Sequence, residues 1–144
     1  MMMAGGIPGA GTFVKSRAEN NKNLGFTKPV KVKTMSLHTY CEKNNITEID
    51  LLHADVEGFE LNAIKGLKNI RSKVIFIEQH PKILTQKEIV NNQTYMTENN
   101  YLLLKSIGID YLYIDVGIKS KYNVVFYDGD KYVTYVAWKS GDNK

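Results

Sequence analysis

Two short apolar runs, each followed by a helix signal, place the strongest constraint on the fold. Residues 49–56 (IDLLHADV) and 74–78 (VIFIE) are short and mostly apolar, as strands covered on both faces are. A carboxylate-rich stretch that Gly66 terminates follows the first run, and a capping box formed by Thr85 and Glu88 follows the second. Strands that alternate with helices are joined by right-handed crossovers, so the pattern predicts an α/β fold with a mostly parallel sheet.

The rest of the chain adds edge elements to this sheet. Val30 and Val32 alternate with lysines, which predicts an edge strand over residues 30–33. Ser36 is positioned to cap a helix that turns its apolar side chains inward. The predicted elements are this helix with Leu37, Tyr40 and Cys41 inside, a helix over 57–65, a helix from Thr85 to about Asn99, strands at 101–104 and 110–114, and an antiparallel hairpin within 123–138 around Asp128-Gly129.

The length of 144 residues fits one domain or part of one. Residues 1–28 are rich in glycine and asparagine and are predicted to be a flexible or cropped segment, with the domain itself at 29–144. The glycine-rich stretch 4–11 (AGGIPGAG) is not interpreted as a phosphate loop, because no strand precedes it and the Gly-Lys-Ser/Thr ending is missing.

Composition excludes several classes of function. Cys41 is the single cysteine, which rules out an intrachain disulfide and a four-cysteine zinc site and fits a cytoplasmic location. No apolar run approaches the roughly 18 residues of a membrane helix, so no membrane association is predicted. The net charge of +4 comes from scattered lysines, so no nucleic-acid partner is predicted. Tyrosines among the last strands could stack RNA bases, but strand tyrosines more often pack.

Candidate catalytic residues lie where the two apolar strands end. In open α/β sheets ligands bind beyond the carboxyl ends of the strands. If the two strands are parallel neighbours, about 4.8 Å apart, their terminal side chains converge at one edge. The candidates are His53, Asp55, Glu57 and Gly58 at the end of the first strand and Glu78 and His80 at the end of the second.

Each candidate also has a structural alternative. Glu57 and Glu60 are placed to favour a helix N-terminus, and His80 before Pro81 is the kind of loop histidine that mostly serves structure. A carboxylate such as Asp55 at the end of an apolar strand is costly unless it is paired or close to solvent, which favours a function. Carboxylates with a histidine also suit Mg²⁺ or Mn²⁺, but no spacing is diagnostic, and no metal is predicted.

The motifs over residues 30–80 resemble those of the FkbM family of methyltransferases. That family shows a valine-rich strand with a "T-x-x-L-D-x-[YL]" helix start, then a signature close to "I-D-L-L-K-I-D-V-E-G-F-E-x-x-x-L-K-G", then a strand ending in "I-E-x-H". This chain has VKVKTMSLHTY, IDLLHADVEGFELNAIKG and VIFIEQH at the corresponding places. His53 stands where the family has lysine, and His38 where it has aspartate.

The resemblance implies a Rossmann-like class I methyltransferase sheet, here partial, with an antiparallel hairpin at its C-terminal end. It implies S-adenosylmethionine as cofactor and O-methylation of a hydroxyl on a sugar or other small metabolite. Asp55 and His53 would then orient or deprotonate that hydroxyl, with Glu57 and Glu78 shaping the site. Asp55, Glu57 and Gly58 would lie at the methyl-transfer edge, beside the cofactor.

The family's cofactor loop, Asp-x-Gly-Ala-Asn, is expected about a hundred residues before residue 30 and does not occur here. The chain is therefore expected to be the carboxyl half of such an enzyme and to bind S-adenosylmethionine weakly when alone, and its own activity stays open. The alternative is a non-catalytic α/β remnant that binds a second polypeptide, which would supply the missing half and complete the sheet.

Overall fold

The structure is a computed structural model that describes residues 2–4, 11–14, 26–117, 122–127 and 132–137, with side chains placed for 11–14 and 30–117. Its described strands are β1 (Met2–Ala4), β2 (Phe26–Pro29), β3 (Glu48–Ala54), β4 (Arg71–Glu78), β5 (Tyr101–Ile107), β6 (Asp110–Asp115), β7 (Tyr122–Tyr127) and β8 (Tyr132–Ala137). Its described helices are α1 (Leu37–Lys43), α2 (Glu60–Lys65) and α3 (Gln86–Glu98). From β2 to β5, strands and helices alternate along the chain, as an α/β fold requires.

The central sheet has four strands in the order β3-β4-β6-β5. Strand β3 pairs with β4 in parallel, while β6 is antiparallel to both β4 and β5. Strands β3, β4 and β5 therefore point the same way, and β6 is inserted between two of them in the reverse direction. Strands β1 and β2 form one antiparallel pair, and β7 and β8 form another.

The core lies between one face of this sheet and helices α2 and α3. Register places Leu52 beside Ile75 and Ala54 beside Ile77, so these side chains share one face. Fully or nearly buried residues in the same cluster come from the helices and the strands, and they are Ala54, Ile64, Leu67, Ile75, Ile77, Met96, Tyr101 and Tyr113. Burial of apolar side chains such as these is the main contribution to the stability of the domain.

The predicted helix boundaries are accurate where a cap specifies them. The Ser36 hydroxyl accepts a hydrogen bond from the Thr39 N–H at the start of α1. Thr85 and Glu88 form the complete capping box at the start of α3. Gly66 ends α2, as predicted. Within α1, Cys41 is buried but Tyr40 is half exposed, so the prediction that Tyr40 packs inside is wrong.

Three other expectations are corrected by the structure. Residues 30–33 form no strand, because the strand of that region is Phe26–Pro29 and Val30 and Val32 are exposed. The second helix begins at Glu60 and not at residue 57, because Glu57 and Gly58 both have positive φ. The far face of the sheet is only partly covered in the described region: Leu112 and Ile114 are buried there, whereas Leu51 is 59% exposed.

The two segments predicted as a flexible start and a closing hairpin are described in part. Met2–Ala4 pairs with Phe26–Pro29, and the glycine-rich stretch lies almost wholly outside the described residues. Strands β7 and β8 pair antiparallel as predicted, as a separate two-stranded sheet, and the turn at Asp128-Gly129 lies outside the described residues. Among the helices of the described region, none has the length and apolar character needed to traverse a bilayer.

Candidate active site

Three carboxylates meet at the carboxyl ends of β3 and β4. The parallel register pairs Ala54 with Ile77, so Asp55 and Glu78 continue two adjacent strands at the same edge. Oxygens of Asp55, Glu57 and Glu78 all lie within 4.8 Å of one another. We call these three residues the acidic cluster. The sheet geometry brings them together because parallel neighbours end at the same side.

The pKa of Glu78 is raised from 4.5 to about 7. Partial burial is the largest cause, followed by a side-chain hydrogen bond between Glu78 and Asp55. The charges of Asp55, Glu57 and Asp110 raise it further, and Asp110 lies directly opposite Glu78 at the start of β6. A carboxyl group that titrates near neutrality can both accept and return a proton, as general acid–base catalysis requires.

The loop that carries two of these carboxylates has an unusual backbone. Glu57 has a φ of 58° and Gly58 a φ of 95°; for glutamate this left-handed conformation is unfavourable by roughly 1–2 kcal/mol. We call residues 55–58 the acidic loop. A Cβ atom on Gly58 would lie 2.7 Å from Cγ2 of Ile83, so both the dihedral angle and the space select glycine there.

Two buried side chains hold the acidic loop by its backbone. The Glu60 carboxylate accepts hydrogen bonds from the Val56 and Gly58 N–H groups, each at 3.0 Å, through its Oε1. The Thr12 hydroxyl donates to the Glu57 carbonyl at 3.1 Å. Glu60 is 1% exposed and Thr12 is fully buried. The conformation of the loop is therefore fixed from the helix side and from the amino-terminal segment.

The two candidate histidines are not part of the acidic cluster. His53 precedes Asp55 on the same strand face, and its exposed ring lies 5.3 Å from the Phe76 ring, tilted by 37°. His80 accepts a hydrogen bond at Nδ1 from the Lys82 N–H at 3.1 Å, which ties the turn after β4. This contact agrees with the structural interpretation of His80 as a loop histidine.

The acidic cluster has the donor set that divalent cations prefer, because it offers only carboxylate oxygens. Asp55 is exposed and the other two are half-buried. Carboxylates close to solvent occur frequently without an ion, so the cluster alone assigns no metal to this site.

The sequence interpretation missed four residues around this site. Asp110, Thr12 and Gln79 were not singled out, and Glu60 was weighed only as a charge at a helix N-terminus. Gln79 is 1% exposed and its Nε2 donates to the Tyr113 hydroxyl at 3.3 Å. The one available signal was position, since Gln79 directly follows Glu78 and Asp110 begins a strand, whereas nothing in the sequence indicated that Thr12 would reach the loop.

A cleft of about 480 Å³ lies between α2 and α3 and reaches the acidic loop at Gly58. Its walls carry amide, lysine and tyrosine groups, including Asn62, Lys65, Asn92 and Tyr95. The volume falls within the roughly 300–1,000 Å³ of small-molecule sites. A mixed polar and aromatic lining suits a ligand that carries several hydroxyl groups.

The fold and the site together define an α/β domain with a cluster of carboxylates at the carboxyl ends of two parallel strands. The sequence model of the "Methyltransferase FkbM domain" matches residues 5–103, which is more than half of the chain. The chain belongs to the FkbM methyltransferase domain family, as the resemblance of its motifs predicted. The match begins within the segment 1–28 and ends in β5. Comparison with curated proteins and with solved structures gave no significant match.

Proposed function

We propose that the chain is an S-adenosylmethionine-dependent methyltransferase that methylates a hydroxyl group of a sugar or other small metabolite. The observation that carries the proposal is the pair of carboxylates Asp55 and Glu78 at adjacent strand ends, with oxygens within 4.8 Å of each other, in a chain of a methyltransferase family. We place its action in the cytoplasm, in keeping with its single cysteine.

The strand order supports a class I methyltransferase sheet. That architecture has an antiparallel strand inserted among parallel ones, and here β6 is inserted between β4 and β5 in the reverse direction. In this assignment β3 and β4 are the strands whose ends lie beside the methyl group and its acceptor.

The residues present fit the cofactor by their chemistry. When bound, S-adenosylmethionine supplies a methyl group activated by a sulfonium cation. The acidic cluster is negative, which favours a cation at this edge of the sheet. Asp55 and Glu57 would contact the cofactor at this edge. Gly58 has no side chain there that could block the approach of the cofactor to the backbone.

The proposed proton acceptor is the Asp55–Glu78 pair. With a pKa of about 7, Glu78 is partly ionised near neutral pH and can take the proton that the hydroxyl loses. Asp55 shares a hydrogen bond with Glu78 and orients it, and Glu57 adds negative charge. His53 lies on the same strand face as Asp55, and its exposed ring is available to orient the acceptor hydroxyl from the solvent side. The protein's main contribution is alignment of donor and acceptor.

Nuclear magnetic resonance titration with S-adenosylmethionine tests the proposal without knowledge of the acceptor. Because millimolar ligand is detectable by this method, weak binding is sufficient. We expect the largest amide shifts at Val56, Gly58 and Gln79, which flank the acidic cluster. S-adenosylhomocysteine, which lacks the positive charge of the sulfonium group, should shift the same amides less at equal concentration.

The matched control is Asp50→Asn, which removes a carboxylate from the same strand at a position 88% exposed. This variant should bind as the wild type does, whereas Asp55→Asn should bind more weakly. Absence of shifts at the strand ends, or shifts confined to other parts of the chain, would overturn the assignment of the site.

A second candidate function rests on the open edge of the sheet. Strand β3 has a described partner on one side only, and Leu51 on it is 59% exposed. A strand from a second polypeptide could pair there. Analytical ultracentrifugation with and without the candidate partner distinguishes this function, since it predicts a stable complex and no cofactor shifts at the acidic cluster.

A further inference from the structure

The carboxylate of Glu60 does not have the role expected of a glutamate in the first turn of a helix, which is to interact with the free N–H groups of that helix. Helix α2 begins after Phe59, which makes no side-chain cap. Glu60 does not serve the helix's own free N–H groups; it accepts hydrogen bonds from Val56 and Gly58, which belong to the acidic loop. Both donors precede the helix.

Burying this carboxylate is expensive. Glu60 is 1% exposed, and among the described residues its Oε2 has no hydrogen-bond partner. A buried carboxylate with one unsatisfied oxygen destabilises the folded state, and an apolar residue would avoid that cost. Helix α2 has only six residues, and its formation gives no structural reason to bury a carboxylate there. Such costs concentrate at functional sites.

The loop that Glu60 holds is itself strained. Glu57 occupies a left-handed conformation at a φ of 58°, which persists only where the surroundings enforce it. Val56 and Gly58 lie on either side of Glu57, so the two hydrogen bonds to Glu60 close a ring around the strained residue. Together with the Thr12 hydroxyl, which donates to the Glu57 carbonyl, these bonds keep Glu57 in this conformation and in the acidic cluster.

We propose that Glu60 is a positioning residue whose buried carboxylate holds the acidic loop so that Asp55 and Glu57 stay against Glu78. It touches no reacting group itself and acts through the backbone of residues 56 and 58. This inference rests on the proposed function for its catalytic meaning, but the geometry it describes is measurable without any cofactor.

The test compares two substitutions that separate geometry from charge. Glu60→Asp keeps the charge but shortens the side chain by one methylene, so it cannot reach both N–H groups. Glu60→Gln removes the charge but keeps an oxygen at the same reach. The readout is the pKa of Glu78, followed by the carbon-13 shift of its carboxyl group during a pH titration.

We expect the pKa of Glu78 to fall in Glu60→Asp by about 1 or more, because neighbouring carboxylates that raise it move away. In Glu60→Gln the pKa of Glu78 should stay close to that of the wild type. The charged groups that face Glu78 are Asp55, Glu57 and Asp110, and Glu60 acts on it only through the loop.

Glu88→Asp is the matched control. Glu88 also accepts two hydrogen bonds at the start of a helix, from the Thr85 N–H and hydroxyl, so its shortening likewise disturbs two hydrogen bonds at a helix start, here at an exposed position. It is not among the groups that shift the pKa of Glu78, and that pKa should not move. An unchanged pKa of Glu78 in a folded Glu60→Asp variant overturns the proposal.

Should Glu60→Asp fail to fold, amide hydrogen exchange decides. The Val56 and Gly58 amides lie outside every helix and strand, yet they should be protected in the wild type and exchange about tenfold faster in Glu60→Gln, since bonds to a charged acceptor are the stronger ones. Unprotected amides in the wild type overturn the proposal. Failure of cofactor binding, by contrast, would leave these results intact and count only against the proposed function.

Discussion

The two ends of strand β4 treat charge in opposite ways. At its amino end Arg71 donates from Nε to Asp115 at 2.6 Å and from Nη2 to the Asn99 carbonyl at 2.8 Å. Its guanidinium also lies 4.4 Å from the centre of the Tyr101 ring. At its carboxyl end Glu78 meets other carboxylates and no described cation.

The difference separates a structural arrangement from a functional one. Asp115 is fully buried, and its two oxygens are satisfied by Arg71 and by the Gly117 N–H at 2.7 Å. Every charge at that end has a partner, so the arrangement holds strands β4 and β6 to the end of α3. At the other end the like charges raise the free energy of the folded state, which is tolerable only if the cluster has a use. The comparison teaches that a group of like charges, rather than charge itself, marks the site.

The largest expected effect comes from breaking the paired end. Asp115→Asn leaves the Arg71 guanidinium without its anion in a site where Asp115 is fully buried. We expect the free energy of unfolding to fall by about 3 kcal/mol, at the low end of the range for buried pairs because Arg71 is one-third exposed. Urea unfolding measures the loss.

Asp50→Asn is the control for this substitution. Lys73 holds Asp50 at 2.6 Å and Glu48 at 2.7 Å, but Asp50 is 88% exposed. Exposed pairs contribute little, so the unfolding midpoint should hardly move. Equal losses in Asp115→Asn and Asp50→Asn would show that the Arg71 network is no more important than a surface ion pair.

The second prediction concerns the acidic cluster at the carboxyl end of β4. Asp55→Asn should lower turnover by roughly 100-fold or more, as expected for loss of a positioned acid–base group. Folding should stay intact, because Asp55 is exposed at the end of the strand. A radiolabelled methyl-transfer assay gives the rate, and circular dichroism gives the fold.

His80→Asn serves as its control, since His80 contacts the turn and not the acidic cluster. It should retain most of the activity. Near-normal turnover in Asp55→Asn would mean that the chemistry lies elsewhere, and unfolding of that variant would show that Asp55 is structural.

The sequence was sufficient for the parts of this comparison that depend on local pattern. Residues 49–56 and 74–78 are apolar runs with helix signals after them, so their parallel pairing and the convergence of Asp55 with Glu78 could be predicted. The capping box at Thr85 could be predicted because its two side chains are three residues apart.

Features that depend on distant pairing could not be predicted in this way. Insertion of β6 between β4 and β5 is set by the whole sheet, so the opposition of Asp110 and Glu78 had no local signal. The sequence predicts a helix from Glu57 because carboxylates favour the first turn of a helix, and only the neighbouring Gly58 indicates the turn that the structure has there. Thr12 reaches the loop across 45 residues of chain.

The smallest expected effect concerns the cost of the acidic cluster to stability. The pKa of Glu78 is raised from 4.5 to about 7 in the folded chain, so between these values the folded state binds more protons than the unfolded state. The free energy of unfolding therefore falls as the pH rises from about 4.5 to 7 and is flat in this respect outside that window. We expect a loss of about 1–2 kcal/mol, less than the pKa change alone implies, because solvent screens the partly exposed cluster.

Urea unfolding at pH 5 and pH 8 measures this loss. Glu78→Gln should remove most of the difference between the two pH values and be the more stable variant at pH 8. The low pKa of Glu88, caused by its hydrogen bonds to Thr85, acts in the opposite direction and only below the window, so it does not mask the effect. If Glu78→Gln retains the full pH dependence, or is less stable than the wild type at pH 8, then Glu78 contributes to the fold as Arg71 does, and the contrast between the two ends of β4 fails.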